Sequence, residues 1–362
     1  MSVNVSLSVG GRIFTGWKDV EITRGLEQLA GTFRLESADP WSIRGETPPI
    51  LEGMACTVKV YGQTVITGFV DNCDVSYDKE SHGLTITGRD RAGDLVDCAA
   101  ISEGYGILSQ SLLQIAQALA KPFGISVSNS AGKQGTQAFE YQRINVGETI
   151  FECLARLAQI RGVLIVSDGL GGIQICQAGT SRARTPLQRP GNILACKATH
   201  SVAQRFHTYL VFGQGLDIDS SSASVVGSAT DNDPVIRTAR VTHVDPVEPT
   251  DILNATALAQ WTANVRRAQG QRASYTVKGW QDGTGASARP WLPNSIVSIQ
   301  DTWGRFQGSF LIAGVHYKID EDEGEVATLD VVPRAAYSLI PHEEWNDQVY
   351  GAGAAAPVDD GS

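Results

Sequence analysis

Leu51-Glu52-Gly53-Met54-Ala55-Cys56-Thr57-Val58-Lys59, displaced by 241 positions, falls on Leu292-Pro293-Asn294-Ser295-Ile296-Val297-Ser298-Ile299-Gln300. Both stretches read as a turn followed by a strand in which polar and apolar residues alternate, the period of a sheet with one buried face. At the same displacement Gly68-Phe69-Val70 meets Ser309-Phe310-Leu311, Gly83 meets Gly324, and Tyr77 and Tyr317 agree within one residue. Residues 78–82 and 320–323 then read as equivalent polar hairpin tips. Upstream the match continues at a displacement of 176, with Thr23 on Thr199, Gln28 on Gln204, Thr32-Phe33 on Thr208-Tyr209 and Leu35 on Val211. The two displacements, 241 and 176, differ by 65, which places an insertion of that size in the second copy, expected at about 216–290. The chain therefore reads as an internal repeat. Each copy is a small antiparallel barrel or sandwich of short strands separated by Gly, Asp and Asn turns.

The bulk composition agrees with folded β structure. The 362 residues suggest two or three domains; 42% are hydrophobic, 19% are charged, and glycine is abundant at 38 residues against two methionines. A net charge of −10 with scattered basic residues speaks against nucleic-acid binding, which needs clustered Lys and Arg; the densest group, Ser181 to Arg184, reads as a linker. No run approaches the roughly 20 apolar residues of a membrane helix, and the first ten residues lack the basic start and apolar core of a signal peptide. The six cysteines, Cys56, Cys73, Cys98, Cys153, Cys176 and Cys196, include no C-x-x-C pair and are expected to be reduced and structural.

Between the copies, residues 99–186 change character. Leu108, Leu112, Ile115 and Leu119 recur at helical spacing until Lys121-Pro122 stops the run. Asn145-Val146-Gly147-Glu148 reads as a capping box opening a second helix that buries Ile150, Leu154 and Leu157. Strands at 163–166 and 173–176 follow, joined by Ser167-Asp168-Gly169-Leu170-Gly171-Gly172. That glycine loop leads into a strand and carries no lysine, so it lacks the helix N-terminus of a phosphate loop. Within the insertion a serine-rich run at 220–224 precedes a helix expected from Asp251 to about Gln269 and a strand at 273–280. Tyr209-Leu210-Val211-Phe212 is apolar on both faces, so Leu210 and Phe212 are expected to meet the insertion or another subunit. From His342 onward periodicity vanishes, and 341–362 reads as a flexible tail.

Signs of catalysis are sparse. His342-Glu343-Glu344 lacks the second histidine of a zinc-protease motif, Asn346 standing in its place. His82, His200, His207, His243 and His316 show no metal spacing, and no serine sits in a G-x-S-x-G elbow. Asp90 and Asp94 beside Arg89 and Arg91 suggest an ion-pair cluster more than a pair of glycosidase carboxylates. No catalytic residue, metal ligand or cofactor site is expected.

Three stretches carry a family resemblance: Gly83-Leu84-Thr85-Ile86-Thr87-Gly88-Arg89-Asp90-Arg91-Ala92-Gly93-Asp94-Leu95-Val96-Asp97, residues 116–127 with Lys121-Pro122-Phe123-Gly124-Ile125, and residues 148–175 with Arg156-Leu157-Ala158. They resemble the baseplate hubs of contractile-tail phages of the Mu-like type. The resemblance implies a mainly β chain with a smaller α+β part. Its expected parts are a first β-barrel tube domain at 1–98, an α+β domain at 99–186 and a second β-barrel tube domain at 187–340. It further implies a homotrimer with a near-sixfold ring, joining a sixfold tail tube to a threefold, separate central spike among other baseplate proteins, while DNA passes without specific binding. The virion tail baseplate, assembled in the bacterial host cytoplasm, is the implied location. The competing expectations are a tail-associated cell-wall hydrolase without a recognisable motif and the hub of a bacteriocin or secretion-system injection device.

Overall fold

The computed structural model describes residues 4–37, 50–77, 82–101, 106–139, 141–179, 181–214, 224–244, 252–320 and 324–337. Strand segments from both ends of the chain join in one 14-stranded sheet. Its path runs Ile193–His200, Gln271–Lys278, Gly324–Val332, Phe306–Asp320, Asp19–Gly25, Thr32–Ser37, His82–Asp90, Gln63–Tyr77, Ala55–Val60, Val5–Val9 and Arg12–Phe14. Ser295–Asp301 joins from the side, antiparallel to Phe306–Asp320, and takes the short strands Ser181–Arg182 and Leu187–Gln188 in parallel. Alternation decides which face is buried: Val20 and Ile22, Phe33 and Leu35, Leu84 and Ile86, Tyr275 and Val277, Val315 and Tyr317, and Leu329 and Val331 all enter one core. Two large aromatics complete it. Trp280 donates through its indole N–H to the Val326 carbonyl at 2.8 Å, and the Tyr317 hydroxyl donates to the Trp291 carbonyl.

The repeat is visible in the pairing. Ala55–Val60, Gln63–Tyr77 and His82–Asp90 pair in sequence, as do Ser295–Asp301, Phe306–Asp320 and Gly324–Val332. Each copy's 15-residue strand has a register shift in the same place, between Val70 and Asn72 and between Ile312 and Gly314. Such a shift inserts one unpaired residue and bends the strand. Following the ladders outward, Phe33 pairs with Gly88 and Ala273 with Val331, so Thr32–Ser37 corresponds to Gln271–Lys278. Ile22 pairs with Phe33 and Ala198 with Ala273, so Asp19–Gly25 corresponds to Ile193–His200, with Thr23 on Thr199 as expected.

Several correspondences differ from expectation. The ladders place Gly68-Phe69-Val70 on Phe310-Leu311-Ile312, one residue on, and Gly83 on Val326 in place of Gly324. Thr32-Phe33 does not match Thr208-Tyr209, because Thr208–Gln214 leaves the large sheet altogether. The tyrosines are not equivalent either: the shared bulge brings Val75 onto Tyr317, which is buried, while Tyr77 is 79% exposed.

Residues 201–270 form an excursion between paired residues, since His200 lies opposite Gln271. Inside it Thr208–Gln214 pairs antiparallel with Ser224–Thr230 and parallel with Val241–Val244. The helix Ile252–Gln269 lies on one face of this small sheet, where Tyr209 and Val211 meet Ala255, Ala259 and Ala263. Small residues let the backbones close: a Cβ on Gly227 would sit 2.3 Å from the Ala255 carbonyl carbon. Arg205, only 8% exposed, donates to Asp231 at 2.8 Å and Asp233 at 2.8 Å, and Arg267 also pairs with Asp231.

The middle segment has the expected two helices and hairpin, with two differences. Leu108, read as the start of the helical run, instead ends the strand Gly106–Leu108, which pairs with Tyr141–Arg143, and is exposed. Ser111 caps the helix Leu112–Ala120 in a reciprocal box with Gln114, and Lys121-Pro122 ends it. The second helix starts later than expected, at Ile150, because Thr149 and Glu152 make the box; Asn145 and Glu148 form a separate turn just before it. Leu112, Ile115, Ile150, Leu154 and Leu157 pack with Ile165, Ile173 and Ile175 of the strands Leu164–Ser167 and Gly172–Cys176, which Ser126–Asn129 joins in parallel.

Two substitutions test this packing. A Cβ at Gly68 would lie 1.9 Å from the Arg89 carbonyl oxygen and 2.5 Å from the Asp90 Cα, both backbone atoms. Gly68→Ala is expected to destabilise the chain by more than about 3 kcal/mol, seen as loss of soluble protein or a large fall in melting temperature. Asp231→Ala strips Arg205 of its nearest buried partner and is expected to cost about 3–5 kcal/mol. Hydrogen exchange should show the loss concentrated in 201–270, with the large sheet protected as before.

Candidate assembly interface

The two copies meet along one ladder, where the second half of Phe306–Asp320 pairs antiparallel with Asp19–Gly25 in the register Gly314 to Gly25, Val315 to Arg24, His316 to Thr23, Tyr317 to Ile22 and Lys318 to Glu21. Side chains reinforce it on both faces. Towards the core, Tyr317 and Ile22 are buried together. On the opposite face His316 Nδ1 is 3.1 Å from Thr23 Oγ1, its Nε2 is 2.7 Å from Asp330 Oδ2, and the Ser274 hydroxyl donates to Asp330 Oδ1. Burial pushes the Asp330 carboxyl up, but the hydrogen bonds from His316 and Ser274 outweigh it and hold the group below its ordinary value. Lys318 adds an exposed pair with Glu21 at 3.7 Å.

Hydroxyl, imidazole and carboxylate in line invite comparison with a catalytic triad. Thr23, however, sits mid-strand between two paired strands, so the amides around it serve the ladders and no pair of N–H groups is left to hold an oxyanion. The line stitches strands across the seam. Sequence alone gave no sign of it, because Thr23 and His316 are 293 positions apart.

The other polar groups singled out in the sequence are committed to structure. Arg89 bonds Asp71 at 2.8 Å and Asp97 at 2.7 Å. Asp90 is buried and accepts from the amides of Gly31 at 2.8 Å and Ala92 at 3.0 Å; burial raises its carboxyl above the ordinary range despite these bonds and one to Ser167. In the glycine loop Asp168 accepts from the Leu170 and Gly172 amides, and Ser167 from Gly169, so the donors a phosphate would need are occupied. His200 bonds the Gly304 carbonyl at 2.8 Å, His207 lies beside Thr208, and His243 stacks against Phe212. His342, Glu343, Glu344 and the tail lie outside the described residues, as does the His82 side chain.

Among the described residues no three His, Cys, Asp or Glu side chains gather as a metal site, and no helix is long and apolar enough to cross a membrane. All six cysteines are free. Burial pushes the Cys56 and Cys153 thiols up to about 12 and Cys176 up to about 11, which makes them inert; Cys196 is exposed.

Leu210 and Phe212 lie on the face of Thr208–Gln214 turned away from the helix, with Leu210 half-buried and Phe212 42% exposed beside His243. Two stretches of the large sheet also have an open backbone edge among the described residues. Ile193–His200 pairs only with Gln271–Lys278, and six of its eight residues are exposed. Gln63–Tyr77 pairs with His82–Asp90 from Gly68 onward, but with Ala55–Val60 only as far as Phe69, so among the described residues 71–76 have no strand partner on that side.

Comparison with known proteins agrees with this arrangement. Residues 4–90 match the family described as Mu phage baseplate assembly protein GpP-like, N-terminal, residues 92–177 match the baseplate hub protein gp44-like second domain, and residues 252–340 match the fourth domain of Mu phage baseplate assembly protein GpP. The baseplate hub protein gp44 of Escherichia phage Mu is 31% identical over 360 residues, covering 95% of this chain and 91% of that protein. The 43 kDa tail protein of prophage MuSo2 from Shewanella oneidensis superposes with a TM-score of 0.81 at 32% identity, over 94% of this chain and all of that one. A tail protein from Neisseria meningitidis MC58 shares the fold, with a TM-score of 0.77 at 22% identity over 93% of this chain and 99% of that one. The mainly β chain, with its few helices between and beside two related strand sets, belongs to the family of Mu-like phage baseplate hub proteins.

Proposed function

We propose that the chain is a non-catalytic hub subunit, three copies of which close into a ring of six related strand sets that joins a sixfold tail tube to a threefold central spike. The observation that carries this reading is the seam: two equivalent sets meet through strands that are not equivalent, Asp19–Gly25 of the first and Phe306–Asp320 of the second. An interface between like units made from unlike surfaces is head-to-tail, and such contacts repeat until a ring closes or a filament grows. Two sets per chain and three chains give six positions, which reconcile a sixfold partner with a threefold one.

In this reading each set curls into a barrel-like tube domain within 1–98 and 187–340, and 99–186 forms the α+β domain between them. The second tube domain carries its insertion at 201–270, between its first and second strands, in place of the 216–290 expected from the sequence. The apolar face at Leu210 and Phe212 then serves contacts with neighbouring baseplate proteins. The net charge of −10 suits a channel through which DNA passes without being held. The setting is the virion tail baseplate, assembled in the bacterial host cytoplasm.

Light scattering on purified protein at high concentration tests the reading. A mass of three chains is expected. A single chain's mass, or an open-ended series of masses, would count against a closed ring of three.

A further inference from the structure

We propose that the ring closes by a second copy of the same ladder, in which the open strand Ile193–His200 of one protomer pairs antiparallel with 72–76 of the next. The register is Cys73 to His200, Asp74 to Thr199, Val75 to Ala198 and Ser76 to Lys197. This rests on the ring reading and adds to it which strands join the chains, and at which residues.

The template is the seam inside the chain. The shared bulge places Asn72, Cys73, Asp74, Val75 and Ser76 on Gly314, Val315, His316, Tyr317 and Lys318. The shared first strand places Lys197, Ala198, Thr199 and His200 on Glu21, Ile22, Thr23 and Arg24. Substituting these equivalents into the observed seam gives the proposed register with no further choice. Among the described residues neither of the two segments needed has a strand partner on the required side. An exposed strand edge presents a row of unpaired N–H and C=O groups and is a template for another chain.

The side chains suit the pairing. Pairing is constrained by which face each residue presents, since a slip of one position turns every side chain over. Ala198 lies opposite buried Ala273 and Val75 opposite buried Leu84, so both point to the core side, as Ile22 and Tyr317 do in the internal seam. Val75 is 52% exposed in the single chain, and the pairing covers it. Asp74 and Thr199 come opposite one another on the outer face, where His316 and Thr23 meet in the template, and can form a hydroxyl-to-carboxylate bond. Ser76 and Lys197 replace the exposed pair of Lys318 and Glu21. The second seam is therefore less polar-stitched than the first, as befits a joint made late, in assembly.

The test is engineered disulfide formation in a Cys196→Ser background. Directly opposed residues have Cβ atoms roughly 4.5–5.5 Å apart, close enough for a disulfide after small adjustment. Asp74→Cys with Thr199→Cys should give, on mild oxidation, a covalent three-chain species on a non-reducing gel that reverts to single chains with reductant. Either substitution alone should give none. The mismatched pair Asp74→Cys with Lys197→Cys should cross-link at least tenfold less. Protein that has the mass of three chains but fails to cross-link, or that cross-links equally in the mismatched register, overturns the pairing and leaves the ring standing. A single chain's mass overturns the ring itself. Two milder variants guard against misfolding. Ser76→Lys sets like charges opposite Lys197 and should raise the concentration for half-assembly at low salt several-fold, whereas Ser76→Glu should lower it. Equal behaviour of the two would overturn the register.

Discussion

One ladder of backbone hydrogen bonds, between Asp19–Gly25 and the far half of Phe306–Asp320, holds the two ends of this chain together. Backbone N–H and C=O groups removed from water must find partners, and here each end of the chain finds them in the other. Without that ladder the strand sets would be separate sheets, each with a raw edge. With it, Ile22 and Tyr317 enter one continuous core alongside Val20, Val315 and Leu329. Contacts so distant in sequence are costly to close, which makes the late docking of preformed strand sets the natural order of folding.

How much of this was legible in the sequence depended on what kind of signal each element leaves. The later strands of the repeat showed clearly because turn, strand and hairpin follow one another without interruption, so Leu51 to Lys59 could be laid on Leu292 to Gln300. The first strand was placed correctly by Thr23 and Thr199, yet the next was misplaced. Thr208-Tyr209 has the same polar-apolar alternation as Thr32-Phe33, and alternation reports that a strand has a buried face without saying which sheet supplies it. The capping box slipped by four residues for a similar reason: Asn145 with Glu148 and Thr149 with Glu152 both satisfy the rule in sequence, but only Thr149 and Glu152 make both reciprocal bonds and open a helix, whereas the Glu148 amide bonds the Asn145 backbone carbonyl.

The seam and the outer face of the excursion left a fainter trace. The seam's polar line, Thr23 to His316 to Asp330 to Ser274, joins residues that no local pattern relates. Leu210 and Phe212 stood out because an apolar run on both faces of a strand needs two covers; the helix Ile252–Gln269 supplies one, over Tyr209 and Val211. The shortage of catalytic motifs has a physical counterpart in the same places. Arg89, Asp90 and Asp168 look reactive as letters, but in the fold their polar atoms hold a strand junction, a turn and a loop in place.

The point at which the excursion departs has a consequence for how such subunits diversify. Because His200 and Gln271 face each other across a ladder, the 201–270 segment leaves and re-enters the sheet at one spot, as a hairpin turn would. The cost of closing a loop rises only with the logarithm of its length, so a turn of a few residues and a lobe of seventy are nearly interchangeable there. The sheet on either side feels the same two anchoring residues whatever hangs between them. A lineage can thus exchange, enlarge or discard the lobe while the large sheet beneath it keeps its pairing.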